Sequence, residues 1–270
     1  MTKLLQISDT HFGTEQPDVT AALLALSREK TPDVLVVSGD ITQRATSEQF
    51  SRARALCDRL QVAQMICLPG NHDIPLHNLW TRLVSPYAAY QRSFGPELEP
   101  ELLTDSLYIA TVNTTRWWRH KNGEVSPAQI ERVCTLLSRA KPQQLRVVVV
   151  HQPVHVLRPQ DEHDRLRGWQ PAVLAWAAAG ADIVMGGHIH LPYVCELSAT
   201  VKGLKRRMWC VQAGTATSNR IRREAPNSVN LLEFSSAANG LNCTVERWDY
   251  QKSVARFALA HTSVLNPQRD

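Results

Sequence analysis

Residues 186–190 read Gly186-Gly187-His188-Ile189-His190, and they follow the apolar run Ala181-Asp182-Ile183-Val184-Met185. The run predicts a buried strand over residues 182–185. A strand that ends in two glycines and then presents two imidazoles asks for a reason. Neutral histidine is a common metal ligand, but two histidines are not yet a site. Further ligands must come from elsewhere in the chain.

Working outward, four more apolar runs end in the same way. Residues 3–8 lead into Asp9-Thr10-His11, and Val34–Ser38 leads into Gly39-Asp40. Gln64–Leu68 leads into Pro69-Gly70-Asn71-His72-Asp73, and residues 146–150 lead into His151. The runs are apolar on both faces, as strands buried in a parallel sheet are. In open α/β sheets, ligands bind beyond the carboxyl ends of the strands. His11, His72, His151, His188 and His190, half of the 10 histidines, fall at these five places.

Helical periodicity separates the strands. Helices are predicted over residues 18–30, 47–60 (with Ser47 as N-cap) and 170–179. Ser126, Pro127 and Gln129 together read as the start of another helix with a capping box. A further strand is predicted over residues 106–112, after an irregular stretch. From residue 191 the pattern becomes mostly β, with strands over 193–200, 207–212, 229–234 and 241–248. Strands alternating with helices predict an α/β fold with helices packed on sheet faces. We expect one domain over residues 1–270, with the motif-bearing α/β part over about 1–190 and a β-rich part over about 191–260.

Composition narrows the function. With 43% hydrophobic and 20% charged residues, the chain is globular and not disordered. The net charge of +5 favours an anionic substrate. A nucleic-acid surface would need a longer basic stripe interleaved with aromatics, so nucleic acid is not the expected partner. The six cysteines form no CxxC pair and read as free thiols of a reducing compartment. Residues 4–7 are too short an apolar run for a signal core, and no run is long enough to span a bilayer. A soluble cytoplasmic protein is the expectation.

The chemistry points to two metal ions. Asp9 and His11, and likewise His188 and His190, stand two apart, and in an extended chain such pairs point to one side. Carboxylate, amide and imidazole ligands without thiolate suit Mn, Fe, Zn or Co. In two-metal sites the ions stand roughly 4 Å apart and clamp both attacking and leaving oxygens. Asp40 is the natural carboxylate bridge.

Taken together, the motifs Asp9/His11, Gly39/Asp40, Gly70–Asp73, His151 and Gly187–His190 resemble the calcineurin-like metallophosphoesterase superfamily. They span roughly the first 190 residues. The Ile7–Gly13 opening and residues 213–234 are similar to the bacterial group containing class III cyclic-nucleotide phosphodiesterases. The resemblance implies a four-layer αββα sandwich of two mixed β-sheets flanked by helices, with the C-terminal strands in the second sheet. It implies one ion on Asp9, His11, Asp40 and His190, and another on Asp40, Asn71, His151 and His188, with Mn or Fe foremost. It leaves His72 free of metal, facing the substrate phosphate as the catalytic residue. The implied reaction is hydrolysis of a phosphodiester, including a cyclic nucleotide, by a hydroxide held between the ions. Within the same fold the alternatives are a phosphomonoester, a glycerophosphodiester or a nucleotide-sugar pyrophosphate, the last disfavoured by the intact Gly-Asn-His-Asp. The non-enzyme alternative is a metal-binding scaffold without turnover.

One position departs from the family pattern. Many relatives carry an Asp shortly after Gly-Asp, whereas here Asp40 is followed by Ile41-Thr42-Gln43-Arg44. Gln43 can accept a hydrogen bond from His72 but cannot raise its basicity as a carboxylate would. Asp73 is the substitute acid. Arg220 and Arg222 are candidate substrate contacts, because guanidinium forks suit phosphate. If the segment is extended they share one face, and Arg223 faces away. Trp117 and Trp118, in the cationic loop 116–121, are expected to bury against a sheet edge, with stacking on substrate as the alternative. A second polar loop covers residues 158–168.

Overall fold

The computed structural model describes residues 1–76, 78–222, 225–237 and 240–268. In chain order the elements are β1 (Thr2–Ile7), α1 (Pro17–Lys30), β2 (Val34–Ser38), α2 (Ser47–Arg59), β3 (Gln64–Leu68), α3 (Leu79–Val84), α4 (Ala88–Phe94), β4 (Glu101–Leu103) and β5 (Leu107–Thr111). There follow α5 (Pro127–Leu137), β6 (Leu145–Val149), α6 (Trp169–Ala178), β7 (Ile183–Gly186), β8 (Tyr193–Glu196), β9 (Trp209–Gln212), β10 (Ser228–Ala237), β11 (Gly240–Gln251) and β12 (Arg256–Leu265).

These strands form two six-stranded mixed sheets, ordered β12-β11-β10-β1-β2-β3 and β4-β5-β6-β7-β9-β8. Strand alternation sorts the apolar side chains into layers. Leu4, Val34 and Val36 of one sheet meet Val147, Val149 and Met185 of the other in a core between the sheets. The opposite faces meet helices. Leu5, Ile7, Leu35 and Val37 pack on Leu23, Phe50 and Tyr90 of α1, α2 and α4. Val148, Val150 and Val184 pack on Val133, Val173 and Trp176 of α5 and α6. The expected αββα sandwich is therefore the observed one. Among the described residues, no helix is long and apolar enough to cross a membrane.

Helix ends follow local chemistry. The capping box at the start of α5 forms as expected: Ser126 accepts from the Gln129 N–H, and the Gln129 side chain reaches back to the Ser126 N–H. At α2 the cap is Thr46, whose side chain accepts from the Gln49 N–H, and Ser47 is the first helical residue.

Four expectations need correcting. Only β8 and β9 of the C-terminal strands join the second sheet, while β10–β12 join the first. The open edge of β1 takes them, with Leu4 opposite Leu232 and Leu5 opposite Leu231. The strand expected over 193–200 stops at Glu196 and turns into a 3-10 helix over Leu197–Ala199. The irregular stretch before residue 106 holds α3, α4 and the edge strand β4. Finally, β12 was not expected, because most of its residues are exposed and it lacks an alternating pattern.

Candidate metal centre

The loops after β1, β2, β3, β6 and β7 all open at one end of the sandwich, because these strands run parallel within their sheets. Backbone hydrogen bonds stitch the loops together. The Asp9 N–H donates to the Gly39 carbonyl, that of His11 to the Asp40 carbonyl, and that of Gly187 to the His151 carbonyl. Gly39, at φ +95°, lies so close to His151 that a β-carbon there would run into the imidazole. A β-carbon on Gly70 would run into the Asp40 backbone nitrogen.

Asp9, His11, Asp40, His188 and His190 all have positive φ, between 41° and 73°. Such values are uncommon for non-glycine residues and cluster at functional sites. The pairs Asp9/His11 and His188/His190 therefore converge through left-handed turns beyond the strand ends. This corrects the extended-chain expectation.

The expected ligands come together in two groups. Asp9, His11 and His190 place their ligand atoms within 4.8 Å of one another, as do Asp40, His151 and His188. In the first group, His190 Nε2 is 3.1 Å from Asp9 Oδ1 and 3.1 Å from His11 Nε2. In the second, His151 Nε2 is 3.3 Å from Asp40 Oδ1. The other oxygen of Asp40, Oδ2, lies 3.8 Å from His11 Nε2. One carboxylate thus turns an oxygen toward each group, as a bridging ligand does. A third grouping joins His72 to His11 and Asp40.

Two of the histidines are aimed by their other nitrogen. His151 Nδ1 lies 2.8 Å from the Ser38 carbonyl, and His190 Nδ1 lies 2.5 Å from the Arg220 carbonyl. Donation to those carbonyls leaves Nε2 facing the site, the usual arrangement around metal-ligating histidines. The His188 backbone N–H donates to the Asp9 carboxylate at 3.0 Å.

The residues fit a cation. Asn71 Oδ1, His151 Nε2 and both ring nitrogens of His188 are buried without a hydrogen-bond partner. Such orphaned atoms are costly unless something pairs them. Burial opposes charge on Asp40, yet the imidazoles of His151 and His72 hold it well below the usual carboxylate range. Burial likewise opposes charge on Asp9, and His190 brings it down to about 2. Two buried carboxylates ringed by imidazoles make a place that favours positive charge. Burial pushes His11 down to about 3 and lowers His188 as well, so both are neutral and able to ligate.

His72 sits on the 3-10 turn Asn71–Asp73, its N–H donating to Asp40 Oδ1 at 2.8 Å. Its Nδ1 lies 3.2 Å from the Gln43 backbone carbonyl. The Gln43 side chain, expected to serve His72, instead accepts from Arg220 Nη1 at 2.9 Å. Asp73 is a clamp and does not face the cleft. Its carboxylate accepts from the N–H groups of Gly70, Ile41 and Thr42 and from the Thr42 hydroxyl. Burial and the Asp40 carboxylate raise it to about 7.

A cleft of about 430 Å³ opens over the two groups, with Arg220 and Arg222 both in its wall. Arg220 Nη1 reaches to 3.2 Å from His72 Nε2. Arg222 turns aside, pairing with Asp161 at 3.1 Å and donating to the Ile189 carbonyl. Arg223 lies outside the described residues. Trp117 and Trp118 are exposed, 41% and 56%, and pack edge-to-face on each other, which corrects the expected burial.

Three lining residues were not foreseen. Asp164 lies 3.6 Å from His188 Nε2 and pairs with Lys121 at 2.7 Å, while His120 lines the same cleft. The signal for Asp161 and Asp164 was the polarity of loop 158–168, but polarity does not say which carboxylate turns inward.

A family model described as calcineurin-like phosphoesterase matches residues 2–192. No curated protein sequence matches the chain. Among solved structures, the chain is similar to a purple acid phosphatase from yellow lupin (Lupinus luteus) seeds, with TM-score 0.70 and 13% identity over 97% of this chain and 53% of that one. It thus spans about half the length of that protein. A dimetal phosphatase from Danio rerio matches with TM-score 0.67 and 14% identity over 99% of both chains. Vacuolar Protein Sorting 29 from Cryptosporidium parvum matches with TM-score 0.50 and 14% identity over 98% of both chains. At these identities the likeness is one of fold.

Proposed function

The chain belongs to the calcineurin-like phosphoesterase family, and from that premise we propose that it hydrolyses a small anionic phosphodiester, a cyclic nucleotide among the candidates. The observation that carries the reading is the convergence of Asp9, His11 and His190 with Asp40, His151 and His188. Asn71, with its orphaned Oδ1, completes the second set. Nitrogen and oxygen donors without thiolate suit Mn or Fe, with Zn or Co as alternatives. When bound, two such ions would lower the pKa of a water and offset charge on phosphoryl oxygens.

The chain's own residues supply position and proton control. Asp40 orients His72 through its backbone N–H, and the Gln43 carbonyl holds Nδ1. The His72 nitrogen left facing the cleft is Nε2, placed to exchange a proton with the leaving oxygen. Arg220 is the guanidinium offered to a phosphoryl oxygen. Diester specificity is supported by charge. Of the cleft's lysine and arginines, Lys121 pairs with Asp164 and Arg222 with Asp161, while Arg220 bonds to the neutral Gln43 side chain. That balance suits a monoanion better than a dianion. A volume of about 430 Å³ suits a small molecule.

We place residues 1–270 in a single domain, because the core between the sheets joins Leu4 and Val149 to Phe234 and Val245. A cytoplasmic location is in keeping with six free cysteines. The competing reading is a phosphomonoesterase, since two structural neighbours are phosphatases. Rates on an aryl phosphodiester and an aryl phosphomonoester with added Mn²⁺, followed by cyclic nucleotides and nucleotide diesters, separate the readings. Faster turnover of the monoester would replace the diester proposal, and no turnover of either would leave a metal-binding scaffold.

A further inference from the structure

A second chemical cluster lies away from the cleft, on the β8–β9 hairpin. Cys195 on edge strand β8 stands directly opposite Cys210 on β9 in the antiparallel register. Opposed residues on such strands have α-carbons about 4.5–5.5 Å apart, within the range that a disulfide spans. Cys195 is half-buried, whereas Cys210 is buried in the core beneath helices α5 and α6. His155, from the loop after β6, places Nδ1 3.5 Å from Cys195 Sγ. Tyr193 fixes that histidine, its hydroxyl donating to the His155 carbonyl at 2.5 Å and its ring packing edge-on to the imidazole.

We infer that Cys195 is a peroxide-reactive thiol and that Cys210 captures its oxidised form as a cross-strand disulfide. Reactivity requires the thiolate, and a thiolate requires nearby donors. Cys195 has both: the Cys210 thiol and His155 hydrogen-bond to its sulfur and bring it down to about 6 against the opposing effect of burial. Cys210 is the partner that keeps its proton, well above the ordinary thiol range. The remaining cysteines lack this setting. Burial raises Cys57 and Cys243 to about 12, and it raises Cys67 and Cys134 as well.

The oxidant is a hydroperoxide. The Cys195 thiolate attacks one peroxide oxygen, the O–O bond breaks, and hydroxide leaves a sulfenic acid on sulfur. The Cys210 sulfur then attacks that sulfur, the S–O bond breaks, and the oxygen departs with the Cys210 proton as water. Two thiols lose two electrons, and hydrogen peroxide is reduced to two waters.

The test uses the reduced full chain with hydrogen peroxide, then alkylation and peptide mass spectrometry. The expected product is a Cys195–Cys210 linked peptide, lighter by two hydrogens and reopened by dithiothreitol. Cys210→Ser should stall at a Cys195 sulfenic acid that dimedone traps, and Cys195→Ser should abolish both products. Iodoacetamide labelling of Cys195 in the reduced protein should show a midpoint below the ordinary thiol range, the direction in which its neighbours bring it. His155→Gln should move that midpoint upward, while Cys134 stays unlabelled in this pH range. Absence of the linked peptide, or labelling of Cys195 no earlier in pH than Cys134, would overturn the inference. None of these readouts depends on phosphoesterase activity.

Discussion

Arg220 and His72 face each other in the cleft, with Nη1 of the guanidinium 3.2 Å from Nε2 of the imidazole. With His72 Nδ1 against the Gln43 carbonyl, Nε2 is the ring nitrogen turned to Arg220 and the cleft. On the proposed function, an anionic substrate would compete with His72 for that guanidinium.

Arg220→Ala should therefore raise KM more than it lowers kcat, because the contact is made in both ground and transition states. Loss of a hydrogen bond to a charged group is worth roughly 1.5–3 kcal/mol, or about ten-fold and more in KM. Steady-state kinetics on a diester decide it, and an unchanged KM removes Arg220 from substrate binding.

Arg222→Ala should behave differently. Its partner Asp161 is 5% exposed, so removing the guanidinium leaves a buried carboxylate uncompensated. We expect a loss of about 1–3 kcal/mol in stability and little change in KM. Thermal denaturation alongside kinetics separates the two arginines. A KM effect as large as that of Arg220→Ala would show that Arg222 leaves Asp161 to meet substrate.

His72→Ala should keep the metal content and lose activity by roughly 10²–10⁴-fold on an alkyl leaving group. The loss should be smaller with p-nitrophenolate, which needs little protonation. Metal analysis of the mutant is the control. Since His72 also groups with His11 and Asp40, a mutant that loses metal would make His72 a ligand.

The wild type is expected to hold about two ions per chain, and Asp40→Ala should release both. The reason is that its oxygens face His151 on one side and His11 on the other. Elemental analysis of dialysed protein is sufficient. Full retention of one ion would restrict Asp40 to a single site.

Asp73→Asn should destabilise the loop that carries Asp40. The carboxylate accepts three backbone N–H groups and a hydroxyl, and an amide would turn a donor toward one set of them. The expected cost is about 1–3 kcal/mol, read as a lower Tm together with weaker metal retention. An unchanged Tm would deny the clamp.

The candidate metal ligands were legible in the sequence because each is a polar residue placed just after an apolar run. Asp9, Asp40, Asn71, His151 and His188 need only that reading to be singled out. The two-sided burial of the strands was legible through the same runs, since Leu4 and Leu5 point to opposite faces of one strand. The pairing of β10 with β1 was not, because strand partners are chosen by which sheet edge is open. The exposure of Trp117 and Trp118 was hidden for a similar reason: an indole looks the same in sequence whether or not a surface awaits it.

Local order along the chain, strand then polar turn, is written in short-range patterning, and it was enough to single out seven candidate ligands and an α/β fold, while the αββα layering came from the family resemblance. Conformation and partnership are long-range properties. The left-handed turns of Asp9, His11, Asp40, His188 and His190 replace the extended pairs that spacing alone suggested. The diversion of Gln43 to Arg220, of Arg222 to Asp161 and of Lys121 to Asp164 joins residues far apart in sequence. Each of those pairings depends on which opposite charge or free acceptor the folded loops bring within about 3 Å, and only folding supplies that distance.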